Sequence, residues 1–244
     1  MRTLYGLAQS PYTEKARWAL DHHAIAYRYH EHVPLLGEVL LRLKARGRPS
    51  GTKASVPLLV DGPDVLPTSL AIARYADRVG RGAALFPEDR LDEVLRWAEV
   101  SDRILDIGRS AVMEGLRKNK EAQQEALPPF IPGALRGALA PMAVTGALFL
   151  ASKYGVPKDA ASEATKLPAI FDEVRSTLGS GSFLLGSLTF ADVAVAASLQ
   201  VLRPRAASPV GPGTRAIWAH EQLAQEYAEL LAWRDRLYRE QRRN

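Results

Sequence analysis

Strand-forming sequence is confined to the N-terminal third of this chain, and that asymmetry limits the folds open to it. Residues 2–6 read as a short strand. Ser10-Pro11 then supplies a helix start, a good N-cap followed by proline at the first helical position. The helix carries Ala16, Ala19 and Leu20 on one face and ends near His22-His23. "IAYRYHEHV" alternates as a second strand does. "LGEVLLRLKARG" predicts a helix closed by Gly47, and "GRPSGTKAS" a loop. "VPLLV", "DGPD" and "VLPT" predict a hairpin turning at Asp61-Gly62. Ser69 to Val79 reads as a further helix. The order is βαβα-ββα, a small α/β unit with a mixed sheet.

Beyond it the pattern changes. "GRGAALFPEDR", residues 80–90, reads as a linker, and strand signals then almost vanish. Leu91, Leu95, Ala98, Asp102 and Leu105 mark a helix running to about Lys118. "LPPFIPG" interrupts. Helices follow at 133–154, 159–178, 189–202 and 216–241, with a loop at "RPRAASPVGPGTR". The 244 residues therefore divide into an α/β domain at 1–79, a linker at 80–90 and an all-helical domain at 91–244.

The chain has no cysteine, which excludes structural disulfides, a cysteine redox cycle and cysteine-rich zinc sites. Net charge is +5, mildly favouring anionic ligands. The densest basic stretch, "RDRLYREQRRN", is interrupted by Asp235 and Glu240 and reads as a solvated helix face, so no nucleic-acid partner is expected. The N-terminus has no signal-peptide pattern. The most apolar run, Gly137–Ala151, is short for a bilayer span, contains Pro141 and reads as a buried helix. A cytoplasmic protein without a membrane partner is the expectation.

"SPYT", Ser10 to Thr13, has the placement of a Cys-x-x-Cys site, at the mouth of a helix after a strand, but lacks both sulfurs. If the position still does chemistry, that chemistry must run on a sulfur the protein does not own. "SPYTEKARWAL", "ASVPLLVDG" and "LPTSLAIARYAD" together resemble the thioredoxin-like domain of glutathione transferases. "LLGSLTFADVAVAA" resembles a helix-start signature of that family's helical domain. The resemblance covers both ends of the chain; roughly 110–180 is carried by helical pattern alone. It implies a cysteine-free, serine-type glutathione transferase that conjugates glutathione, its co-substrate, to apolar electrophiles, as detoxifying enzymes do. It also implies a homodimer and no metal.

The chemistry is simple to state. A thiol of pKa near 8.5 is only about 3% ionised at pH 7, and the thiolate is the nucleophile. Lowering that pKa by about 2 units takes about 2.7 kcal/mol of preferential stabilisation. A helix N-terminus offers unpaired N–H groups and a positive dipole end, and a serine hydroxyl adds one donor. Ser10 in this role would stabilise the thiolate and attack nothing. On spacing alone Ser10 is equally an ordinary N-cap bonding its own helix. Tyr5, at the end of the first strand, is the rival, and Tyr12 a third candidate.

The resemblance further implies a cis Val56-Pro57 bond presenting the Val56 backbone to the cysteinyl part of glutathione. Lys53 would meet the glycine carboxylate, and Ser69 the γ-glutamyl carboxylate. Thr68 stands where the family usually has an acidic or amide residue, so the ammonium loses a counter-charge. Ser69 is also a plausible N-cap. Thr189 and Asp192 have capping-box spacing, with Leu188 and Val193 as the hydrophobic staple, and carry no chemistry. His30 and His32 read as exposed strand histidines rather than a metal pair. Trp97 and Met113 are either core or pocket lining. Two alternative functions keep the fold: a non-catalytic carrier or sensor of glutathione or apolar ligands, favoured by Thr68, and a protein-docking module.

Overall fold

A computed structural model describes residues 1–128, 130–155 and 160–242. Strands β1 (Thr3–Gly6), β2 (Arg28–Glu31), β3 (Leu58–Asp61) and β4 (Asp64–Leu66) form one sheet in the order β2-β1-β3-β4. β1 and β2 run parallel; β3 is antiparallel to β1 and to β4. Helices α1 (Pro11–His22), α2 (Glu38–Lys44) and α3 (Ser69–Val79) complete the unit in the expected order βαβα-ββα. The hairpin turns through Gly62, whose φ of 58° lies in the left-handed region that glycine enters without cost. Alternation along β1 divides the sheet's neighbours. Leu4 faces the core with α1 and α3, while Tyr5 joins Leu41, Ala45 and Leu58 under α2.

The described remainder is helical. It comprises α4 (Leu91–Lys118), α5 (Lys120–Glu125), α6 (Gly133–Tyr154), α7 (Ala160–Ala164), α8 (Leu167–Leu178), α9 (Phe190–Ser198), α10 (Pro212–Trp218), α11 (Glu221–Glu226) and α12 (Ala228–Gln241). α9 is buried along its whole length and packs against both α4 and α1. Its start is the expected capping box: Asp192 Oδ2 accepts from the Thr189 N–H at 2.9 Å.

Several expectations are corrected. The predicted helix 216–241 breaks into three, interrupted where Ala219 and His220 leave helical backbone and again at Tyr227, and its first part begins earlier, at Pro212, a residue suited to N1. The expected start at residue 159 lies outside the described residues, and that helix divides into α7 and α8. α2 ends at Lys44 with Ala45 as its C-cap, not at Gly47. The run 137–151 is not a buried helix. α6 contains a 21-residue apolar stretch of mean hydropathy 1.5, yet only 11% of its most apolar window is buried. Nor is the C-terminal basic stretch simply solvated. Buried Arg234 donates to the Leu199 and Arg203 carbonyls, and Arg242 pairs with Glu14 and Asp21. Asn244 and residue 243 lie outside the described residues.

Candidate functional site

The sheet register gathers three separated segments. Tyr5 pairs with Leu58, so the start of β3 lies beside the end of β1. Leu66 pairs with Leu59, so the end of β4 lies there too. Ser10, the Val56-Pro57 bond and Thr68-Ser69 each adjoin one of these strand ends, and they therefore share one end of the sheet. The Val56-Pro57 bond is cis, as expected. Ser55 Oγ donates to the Pro67 carbonyl at 3.4 Å and links two of the segments directly.

Ser10 is the N-cap of α1 with extended backbone (φ −80°, ψ 126°), and its side chain makes no capping hydrogen bond. Its carbonyl accepts from the Glu14 N–H at 3.0 Å, as an N-cap carbonyl does. The hydroxyl is therefore not spent on its own helix. The preceding loop is held from three elements. Thr13 Oγ1 of α1 accepts from the Leu7 N–H at 3.1 Å. The Glu31 carboxylate of β2 accepts from the Ala8 N–H at 3.2 Å through both oxygens. Gln200 Nε2, just past α9, donates to the Gln9 carbonyl at 3.1 Å. Gly6 permits this closeness, since a Cβ there would stand 2.5 Å from Thr13 Cγ2.

The two tyrosine candidates are occupied differently. Tyr5 packs on the α2 side of the sheet, its ring edge-on to His30 at 5.1 Å between centroids. α1 covers the opposite face. Tyr12 donates to Asp106 Oδ1 of α4 at 3.2 Å. Burial raises the Tyr12 phenol above its ordinary value, so it stays protonated at neutral pH. Beside it, buried Lys15 reaches Asp102 of α4 at 2.8 Å, and Arg109 lies over the Tyr12 ring at 5.3 Å. Burial pushes the Lys15 ammonium below its usual value, while Asp102 pulls it back up.

This polar seam was missed by sequence reasoning. Its signal was a pair of mismatches: Lys15 on the apolar face of α1, and Asp102 at an apolar position of α4. Glu31 and Gln200 left no such trace.

At the third segment the cap is Thr68, not Ser69. Thr68 Oγ1 accepts from the Ala71 N–H at 3.1 Å, and buried Ser69 is the first residue of α3. Exposed Lys53 points to α6, donating to the Lys153 carbonyl at 2.8 Å. Lys153 in turn bonds Glu38 at 2.9 Å. His30 is exposed, but His32 is buried just past β2, with Nε2 3.4 Å from Glu38. It is therefore not an exposed strand histidine. Among the described residues no cluster of His, Asp and Glu is gathered as a metal site. Trp97 is buried in the main core.

A family model described as the glutathione S-transferase N-terminal domain matches residues 4–81. Solved structures of similar fold span nearly the whole chain. A glutathione S-transferase from Methylobacillus flagellatus, solved with glutathione bound, is 18% identical over 98% of this chain and 95% of that one, with a TM-score of 0.64. A beta-etherase from a Sphingobium species is 18% identical over 97% and 94%, at 0.60. A glutathione S-transferase from Rhodospirillum rubrum is 18% identical over 98% and 88%, at 0.57. At these identities the likeness carries the fold. No curated protein matched the sequence.

Proposed function

We propose that this chain is a glutathione transferase in which Ser10 donates a hydrogen bond to the glutathione thiolate. In this reading glutathione lies across the end of the sheet in the α/β domain (1–79), joined by residues 80–90 to a helical domain (91–244). Its cysteinyl part meets the Val56 backbone beside Pro57. Its γ-glutamyl carboxylate lies at Ser69 and the start of α3. The thiolate, held at the start of α1, attacks the electrophilic carbon of an apolar substrate, forming a C–S bond as the leaving group departs. Substrate enters from the α4 side, where Tyr12 meets Asp106. No metal takes part. We further propose a cytoplasmic detoxifying enzyme that acts as a homodimer.

The observation that carries this reading is the Ser10 hydroxyl at an open helix N-terminus, free of any capping bond. It favours Ser10 over the capping role that spacing alone allows. Tyr5, packed under α2, and Tyr12, committed to Asp106, are supported less. The test is conjugation of glutathione to a generic aryl halide. Ser10→Ala is expected to lower kcat about 10²-fold, comparable to losing one donor from an anion-stabilising site. Tyr5→Phe is expected to leave turnover intact. Turnover that survives Ser10→Ala but disappears with Tyr5→Phe reverses the assignment.

One observation favours a second reading, a binding protein without turnover. Thr68 supplies no charge and is spent on its own helix, and Lys53 is bonded to α6. Retention on immobilised glutathione without conjugation of any electrophile would support this carrier. Failure of both would leave only the docking module.

A further inference from the structure

Helix α2 is apolar on its outer face as well as on its inner one. Its inward face carries Glu38, Leu41 and Ala45, all buried. At 100° per residue, Val39, Leu40 and Leu43 fall on the opposite face, and Leu36 of the preceding turn extends it. These four are 78%, 39%, 48% and 68% exposed. Solvated helix faces are ordinarily polar. A groove of about 200 Å³ beside this face is lined by Leu36, Leu40 and Phe130, the last 68% exposed.

Cations border the apolar stripe. Arg42 and Arg46 lie on one side and Lys44 on the other, all exposed and without an ion-pair partner among the described residues. From Leu36 to Val60 the sequence holds five lysines and arginines against one carboxylate, Glu38. Glu38 is buried and already bonded to Lys153. An exposed apolar stripe flanked by unpaired cations matches a helix lying in the headgroup region of an anionic bilayer.

We propose that the outer face of α2 docks on anionic lipid surfaces. The contact is peripheral: Leu36, Val39, Leu40 and Leu43 enter the headgroup–acyl boundary, and Arg42, Lys44 and Arg46 meet lipid phosphates. This departs from the expectation that no membrane partner exists. A second copy of the chain fits the face less well. A two-fold contact through α2 would set these cations close to their own copies, with no exposed carboxylate on the helix to offset them. The proposal is independent of catalysis, because docking needs no glutathione.

The test is co-sedimentation of the full chain with vesicles of phosphatidylcholine alone or mixed with phosphatidylglycerol. The chain is expected to pellet with the anionic vesicles only, and less so in high salt. Each lysine or arginine near such a surface strengthens binding roughly fivefold. The triple change Arg42→Gln, Lys44→Gln, Arg46→Gln is therefore expected to weaken binding about a hundredfold. Val39→Glu with Leu43→Glu is expected to abolish it, and circular dichroism reports whether that variant folds. A wild-type chain that stays in solution with anionic vesicles overturns the proposal. So does a folded glutamate variant that pellets like wild type. Light scattering separates the other occupant: a dimer that the glutamate changes dissociate, with no vesicle binding by wild type, would assign this face to a second copy.

Discussion

A single hydrogen bond from Ser10 can act only if the hydroxyl stands within hydrogen-bond reach of sulfur, and its placement rests on a residue with no side chain. Gly6 lets the first turn of α1 press against the end of β1. A methyl group there would meet Thr13 Cγ2 at 2.5 Å and the Tyr29 ring at 3.2 Å. Both neighbours are fixed, Thr13 by the Leu7 N–H and Tyr29 by Glu31. Gly6→Ala is therefore expected to destabilise the fold by about 1–3 kcal/mol, as overpacking does. It should also lower kcat more than it raises KM, because α1 shifts with Ser10 on it. Thermal melts and aryl-halide kinetics check the pair of effects; unchanged kinetics in a folded variant would free Ser10 from this dependence. The roles of Gly6 and Glu31 had no counterpart in the sequence reading. Periodicity reports which face of an element is buried, not which two elements approach within a methyl radius.

At the scale of elements, α9 carries the most specific local device. The Asp192 carboxylate accepts from the Leu184 N–H, the Thr189 N–H and the Thr189 hydroxyl. Those bonds favour its charge, yet burial outweighs them and raises its pKa to about 6. A carboxyl whose folded pKa exceeds its unfolded value stabilises the fold most at low pH, and that contribution fades as pH rises through the folded value. Between about pH 4 and pH 7 this group should therefore cost stability, on the order of 1–3 kcal/mol. Asp192→Asn does not titrate. Its stability deficit against wild type, read from urea unfolding, is expected to be larger near pH 4 than near pH 7. An equal deficit at both would mean that the three donors just offset burial, and a smaller deficit near pH 4 that they outweigh it.

Legibility followed the same division. The capping box, the Asp61-Gly62 hairpin and α3 were readable because each has a local chemical cause. The exposure of α6 was not, because an apolar helix carries no mark of how much of it a neighbour covers. Of the candidate site, Ser10, the Val56-Pro57 bond and Ser69 entered through motifs, and of these calls the structure bears out the cis bond. Thr68 as the cap, and Lys53 turned to α6, depend on side-chain directions that spacing does not encode.

For the molecule as a whole, one cluster of buried side chains runs from Leu4 and Trp18 through Trp97 and Phe190 to Tyr238. Trp18 of α1 meets the Tyr238 ring at 4.5 Å, Lys15 meets Asp102, and the Phe190 N–H bonds the Leu85 carbonyl. The α/β unit thus shares its apolar interior with the helices. A shared core melts as one cooperative unit. Calorimetry is expected to give a single unfolding transition, with calorimetric and van't Hoff enthalpies in agreement. Two separable transitions would show that the helices retain a core of their own.

The three tethers on the loop at residues 7–9 carry a last consequence. Because Thr13, Glu31 and Gln200 fasten that stretch from within the chain, the loop before the proposed seat for sulfur is tied to three elements without help from a guest. Most of the ordering cost falls on folding instead of on ligand capture. Under the proposed function, such an arrangement separates inheritance from invention: side chains along α4 can drift toward new electrophiles while the anchor beneath them keeps its shape.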